Sequence, residues 1–221
     1  MSNVTKPSVA YVDESADERD NFYVDAYGSD LFSEIHLLHP DDNLDFLIAR
    51  LLELQIDALV SDFRLSDANA KSYTGADVVR AFLDVRRDFP CFVLTSYDDD
   101  AMLSASDVNL VYSKDVKDEE AAGRNLFKRV SQQIVNYKSR IEAWAEEFNS
   151  LSATDPLMRT AIEVERLIQL DHNLEQSLSN DQALAKSVKR EVFDPKGLMA
   201  RQEELMDETE KLIASIKQTL G

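Results

Sequence analysis

Val9-Ala10-Tyr11-Val12-Asp13-Glu14 decides how the first half of this chain is read. Four apolar residues run without a break and stop at two carboxylates. A strand with one wet face alternates, whereas a strand covered by helices on both faces is apolar throughout, so the run reads as a buried parallel strand. Ala58-Leu59-Val60, leading to Ser61-Asp62, and Cys91-Phe92-Val93-Leu94, leading to Thr95-Ser96, repeat the pattern. Leu110-Val111-Tyr112, running into Ser113-Lys114, is a shorter run of the same kind, and Glu34-Ile35-His36-Leu37 alternates as an edge strand does. Helical stretches fill the gaps at about residues 17–28, 42–54 and 75–88, with a short one near 99–105. Strands alternating with helices in this way predict a doubly wound α/β domain.

The second half holds no strand-like segment. Asp115 is read as an N-cap, with Asp118 and Glu119 in the first turn, for a helix reaching about Ser150. Phe127, Val130, Ile134, Tyr137, Ile141, Trp144, Phe148 and Leu151 recur at alternating spacings of three and four, an a/d heptad pattern. The stripe fits either a coiled-coil dimer seam or packing against later helices, and Gly123 offers a hinge before it. Asp155-Pro156 reads as the start of a further helix, Ser179-Asn180-Asp181 as its end and the cap of a short segment at about 182–191, and Asp194-Pro195 as the start of a last helix to Leu220. The expected domains are 1–118, a connecting helix over 119–154, and a helical region over 155–221 that serves output or dimerisation.

The 221 residues carry 42 acidic and 24 basic side chains, a formal charge of −18. Residues 1–117 hold 23 acids and 10 bases (−13), and the remainder 19 and 14 (−5). Neither part has the basic footprint from which phosphate-backbone affinity comes, which argues against direct DNA or RNA binding. The most basic stretch, Lys186 to Arg190, is short and followed by Glu191. A single cysteine, Cys91, excludes an intramolecular disulfide and multi-cysteine metal sites and reads as a small buried hydrophobe. With no signal-like apolar segment after Met1 and no run long enough to span a bilayer, a cytoplasmic protein away from membranes is expected. His36 and His39 lack partners at metal-ligand spacing, and His172 has no phosphotransfer motif around it.

In doubly wound sheets functional groups gather beyond the carboxyl ends of the strands. There this sequence places Asp13-Glu14 after the first strand, Asp62 after the third, Thr95 after the fourth and Lys114 after the fifth. Three carboxylates brought together repel one another unless a cation sits among them, and Mg²⁺ is the hard, oxygen-seeking choice. In this order of residues the chain resembles the receiver domain of two-component response regulators, over about residues 8–118. The resemblance implies a flavodoxin-like five-stranded parallel sheet of order 2-1-3-4-5. It implies Asp62 as phospho-acceptor, Asp13, Glu14, Asp62 and the Arg64 backbone carbonyl as Mg²⁺ ligands, Thr95 as the switch hydroxyl and Lys114 as the charge clamp.

The sequence departs from the family pattern in several places. Glu14 stands where a second aspartate is usual, Ser66 where a proline is common, and Asp115 follows Lys114 where proline is usual. Val111 occupies the usual aromatic-switch position with Tyr112 next to it, and the stretch between Thr95 and Lys114 is short. The resemblance implies a response regulator in phosphorelay signalling rather than an enzyme. It would take a phosphoryl group from a sensor histidine kinase or phosphotransfer protein, and would switch the contacts of its helical region with a second copy or a protein effector. The alternatives are a phosphate sink or adaptor, and a degenerate receiver serving as a scaffold. The run Asp98-Asp99-Asp100 is read as a helix N-terminus rather than a second metal site.

Overall fold

The computed structural model describes residues 6–65, 73–95, 111–113, 119–179 and 183–220. The chain forms two compact units, residues 1–140 and 141–221.

In the first unit, β1 (Ser8–Val12), β2 (Glu34–Leu38), β3 (Ala58–Asp62) and β4 (Cys91–Thr95) make a parallel sheet in the order β2-β1-β3-β4. The backbone of β5 (Val111–Ser113) pairs in parallel alongside β4. Every residue of β1, β3 and β4 is buried, as their unbroken apolar runs require, and alternating β2 lies at the edge. Helices α1 (Ala16–Gly28), α2 (Leu44–Glu53) and α3 (Gly75–Val85) connect the strands.

Period-two alternation divides the strand residues between the sheet's two faces. Val9 and Tyr11 of β1, Ala58 and Val60 of β3, and Phe92 and Leu94 of β4 share one core with Phe22 and Ala26 of α1. The same core takes in Phe127, Val130 and Ile134 of α4 (Glu119–Ser152). On the strength of its apolar stripe Val78, Val79 and Phe82, α3 packs on β3 and β4 and touches α2.

The helix boundaries have local causes. Ser15, Asn43 and Thr74 are the N-caps of α1, α2 and α3, each accepting a hydrogen bond from a first-turn N–H. Helix α3 ends at Val85, three residues before the expected boundary, because Arg86 is extended and Asp88 turns into the left-handed region (φ 59°). Asp30 and Gln55 follow α1 and α2 with the same backbone sign (φ 57° and 50°), a place glycine usually fills.

The heptad stripe of α4 has two destinations. Phe127, Val130, Ile134 and Tyr137 are buried within the first unit, so this half covers the unit's own sheet instead of facing a second copy. Lys138 and Arg140 pin the same stretch through Asp57 (2.8 Å) and Asp88 (3.7 Å). In the second unit Phe148 meets Phe193 edge to face.

That unit also holds α5 (Ala161–Leu178), α6 (Lys186–Phe193) and α7 (Pro195–Leu220). Asp155-Pro156 does not begin α5. Asp155 instead closes an isolated turn, accepting from the N–H groups of Leu157 and Met158. The helix starts at the Thr160–Glu163 capping box, where each side chain satisfies the other residue's backbone N–H. Asp194-Pro195 does begin α7, with Asp194 Oδ1 accepting from the Gly197 N–H at 2.9 Å.

The basic stretch 186–190 turns onto acidic α5. Lys189 is buried between Asp171 and Glu175 at 2.6 Å each, Arg190 pairs with Glu165, and Lys186 donates to Gln169 at 2.8 Å. Cys91 is fully buried, and burial pushes its thiol pKa far up. Among the described residues no helix is long and apolar enough to cross a membrane.

Candidate functional site

Parallel pairing carries Asp13 and Asp62 to the same end of the sheet. Val12 of β1 lies opposite Ser61 of β3, so the next residue on each strand reaches the shared carboxyl edge. β4 is held level with them: Asp62 is in register with Leu94, and the Phe63 N–H donates to the Leu94 carbonyl at 2.7 Å. Thr95, the last residue of β4, is 2 % exposed at that edge.

One carboxylate oxygen from each of Asp13, Glu14 and Asp62 falls within 4.8 Å of the others. Asp13 and Asp62 are buried and Glu14 half-buried, so repulsion among them is only partly screened by water. The chain supplies compensating donors. The Ser15 N–H gives to Asp13 Oδ1 at 2.9 Å, the Tyr11 hydroxyl to Asp13 Oδ2 at 2.5 Å, and the Arg64 N–H to Asp62 Oδ2 at 2.8 Å. Arg19 fixes the backbone below, donating to the Asp13 carbonyl at 2.5 Å. Burial first, then the charge and hydrogen bond of Asp13, with lesser contributions from Asp62 and Glu18, raise the Tyr11 pKa well above the ordinary tyrosine range.

Three hard oxygen donors, few enough to leave positions for water, suit a divalent cation such as Mg²⁺. The geometry thus brings together Asp13, Glu14 and Asp62 and sets Thr95 on the neighbouring strand end. Arg64 follows two residues after Asp62, and its N–H caps the Asp62 carboxylate. Lys114, Ser66, Asp115 and the aspartate run 98–100, together with the short helix near 99–105, lie outside the described residues.

Two residues that shape the pocket escape a reading of strand ends. Tyr11 lies two positions before Asp13, on the same strand face, and period-two alternation alone would have aligned them. Gly75, the first residue of α3, lies against the backbone of Asp62. A Cβ built there would fall 1.8 Å from the Asp62 carbonyl oxygen and 2.7 Å from Ser61 Oγ. The Gly75 N–H donates to the Phe63 carbonyl at 2.9 Å, closing α3 onto the end of β3.

No protein-family profile matches the sequence, and no curated protein matches it. Among solved structures the chain is similar to a sensor protein from Polaromonas sp. JS666, at 17 % identity and a TM-score of 0.45, covering 59 % of this chain and 98 % of that one. It is similar to a structure described as a transiently phosphorylated "switch" in bacterial signal transduction, at 19 % identity and TM-score 0.43, covering 61 % and 99 %. It is also similar to the two-component response regulator RcsB in a complex with DNA, at 14 % identity and TM-score 0.42, covering 86 % and 98 %. These likenesses do not bear on the chemistry of the pocket, which stands on the residues themselves.

Proposed function

We propose that this chain is a phospho-accepting signalling protein of the receiver type. Residues 1–118 would be the receiver, joined through 119–154 to a helical output or dimerisation region at 155–221. The observation that carries the reading is the convergence of Asp13, Glu14 and Asp62 oxygens within 4.8 Å at the carboxyl ends of β1 and β3.

Asp62 is the nucleophile in this reading. Its carboxylate oxygen forms a bond to phosphorus as the P–N bond to a partner's phosphohistidine breaks, and the electron pair of that bond stays on the imidazole nitrogen. Phosphoryl transfer passes through a loose transition state, so positioning and charge neutralisation supply most of the catalysis. Asp13, Glu14, Asp62 and the Arg64 carbonyl would hold Mg²⁺, which supplies neutralisation of the phosphoryl oxygens when bound. Lys114 would take a further share of that charge, and the Thr95 hydroxyl would turn to the new phosphoryl oxygens as the switch.

The partners in this reading are a sensor histidine kinase or phosphotransfer protein upstream, and a second copy or a protein effector downstream. Exposed Leu205 and Met206 on α7 support an interaction role for the second unit.

The test is light scattering of the full chain with Mg²⁺, before and after beryllofluoride, with Asp62→Asn as control and labelling by a small phosphodonor alongside. A change in mass that needs both Mg²⁺ and Asp62 supports the switch. Labelling of Asp62 without a change in mass favours a phosphate sink. Neither labelling nor change leaves a scaffold with a receiver-like fold and overturns the proposal.

A further inference from the structure

A continuous column of side chains joins the acidic pocket to α4. Tyr11 donates its hydroxyl to Asp13 at 2.5 Å, and its ring stacks on Phe22 of α1 with centroids 4.1 Å apart and planes 9° from parallel. Phe22 meets Phe127 of α4 edge to face at 5.3 Å, and Phe32 also meets Phe127 edge to face, at 5.9 Å. All five residues are buried: Asp13 and Tyr11 at 1 % exposure, Phe127 at 3 %, Phe22 at 7 % and Phe32 at 8 %. A close-packed column of this kind cannot absorb a displacement at one end by filling space elsewhere.

We propose that Tyr11 is a positioning residue for the cation pocket, and that through Phe22 and Phe127 it couples occupancy of that pocket to the seating of α4. The proposal rests on the reading of Asp13, Glu14 and Asp62 as cation ligands. Asp13 is oriented from both sides, by the Ser15 N–H on one oxygen and the Tyr11 hydroxyl on the other. Partners behind a metal ligand of this kind commonly govern affinity by an order of magnitude or more. A cation drawing on Asp13 shifts the acceptor of a hydroxyl whose ring is clamped in a stack, so the adjustment passes along the column to Phe127. The coupling runs both ways, because a ligand that stabilises the seated helix must itself be bound more tightly when the helix is seated.

The experiment measures Mg²⁺ affinity of the full chain by titration of amide chemical shifts, and hydrogen exchange over residues 126–137 with and without saturating Mg²⁺. Tyr11→Phe keeps the ring and removes only the hydroxyl; Phe127→Leu breaks the far end of the column and leaves the pocket intact. In the wild type, Mg²⁺ is expected to slow exchange over 126–137 about fivefold, a coupling at the lower end of the usual range. Tyr11→Phe should bind Mg²⁺ about 10-fold more weakly and lose that response at saturation. Phe127→Leu should stay within about fivefold of wild-type affinity, the most that the coupling allows, and also lose the response. Wild-type affinity in Tyr11→Phe, or a surviving exchange response in Phe127→Leu, overturns the coupling and leaves the cation pocket standing. A wild-type chain that does not bind Mg²⁺ overturns the pocket reading itself, and the proposal with it.

Discussion

Replacing Gly75 by alanine would set a methyl group where the Asp62 backbone already stands. The added Cβ would lie 1.8 Å from the Asp62 carbonyl oxygen and 2.8 Å from its carbonyl carbon. A close carbon–oxygen approach in proteins is about 3.3 Å, so the deficit is roughly 1.5 Å. No rotamer change can supply it, because the nearest obstacle is backbone in the middle of the sheet's carboxyl edge. Either α3 lifts off β3, breaking the hydrogen bond from the Gly75 N–H to the Phe63 carbonyl, or the Asp62 peptide turns and takes the carboxylate with it. Overpacking of a well-filled site costs about 1–3 kcal/mol and more where nothing can give, so Gly75→Ala is expected to cost about 3 kcal/mol. Urea unfolding of the variant against wild type measures this directly, with the denaturant slope unchanged if the native state keeps its compactness. Mg²⁺ affinity should fall as well, since either relief moves Asp62. A variant within about 0.5 kcal/mol of wild type would mean that α3 does not sit against Asp62 at all.

Other consequences follow from groups whose partners are defined. Lys189→Met leaves Asp171 and Glu175 facing an apolar side chain and is expected to destabilise the helical unit by about 2–3 kcal/mol at pH 7, the usual cost of breaking a buried pair reduced for partly hydrated carboxylates. Burial alone would raise Glu175, but hydrogen bonds from Lys189 and the Leu184 N–H outweigh it and hold the pKa below its ordinary 4.5. The stabilisation is therefore full above about pH 4.5 and lost as pH falls through the depressed value, so the gap between variant and wild type in thermal melts should close in acid. Thr74→Ala removes the N-cap of α3 and is expected to cost about 1 kcal/mol, measured by the urea midpoint. Burial would likewise raise Asp77, yet the Thr74 N–H and hydroxyl, with Arg80, hold it below its ordinary 3.8, so this contribution too disappears on acidification below that pH.

The strands were legible because burial on both faces leaves a direct trace in composition. β1, β3 and β4 are unbroken apolar runs that end in the polar groups of the pocket, and β2 alternates because it is an edge. Asp13, Glu14 and Asp62 were legible for the same reason, as the first charged groups after buried strands. What depends on chains meeting from a distance was not. The stripe from Phe127 to Leu151 has one period along its whole length, and periodicity cannot tell a helix covering its own sheet from one covering a partner. Asp155-Pro156 and Thr160–Glu163 are both start signals, and the capping box prevails because it satisfies two backbone donors where the aspartate closes a single turn. Lys189 stands in the sequence within a short basic stretch, and only the approach of α5 makes it a buried counter-ion.

The carboxylate cluster carries a cost that fixes the sign of a final experiment. Two unit charges 4.8 Å apart repel by about 3.5 kcal/mol at an effective dielectric of 20, and here every pair in the trio lies at that separation or closer. The N–H groups of Ser15 and Arg64 and the Tyr11 hydroxyl are dipoles that offset part of this, and even one ammonium brought to the cluster leaves it two charges negative. Removing one carboxylate without changing its shape should therefore stabilise the protein in the absence of metal, contrary to the usual effect of altering a buried polar group. Glu14→Gln is expected to raise metal-free stability by roughly 1–2 kcal/mol, less than the pairwise figure because Glu14 is half-buried and partly screened. Mg²⁺ should act in the opposite order, stabilising the wild type by about 2.7 kcal/mol at 100 times its dissociation constant and the variant far less at the same concentration. Thermal melts of both proteins across a Mg²⁺ series should thus cross, with the variant ahead at zero metal and the wild type ahead at saturation. A variant that melts below wild type without metal would show that the three carboxylates are already fully compensated by the chain, and that the pocket has no electrostatic need of a cation.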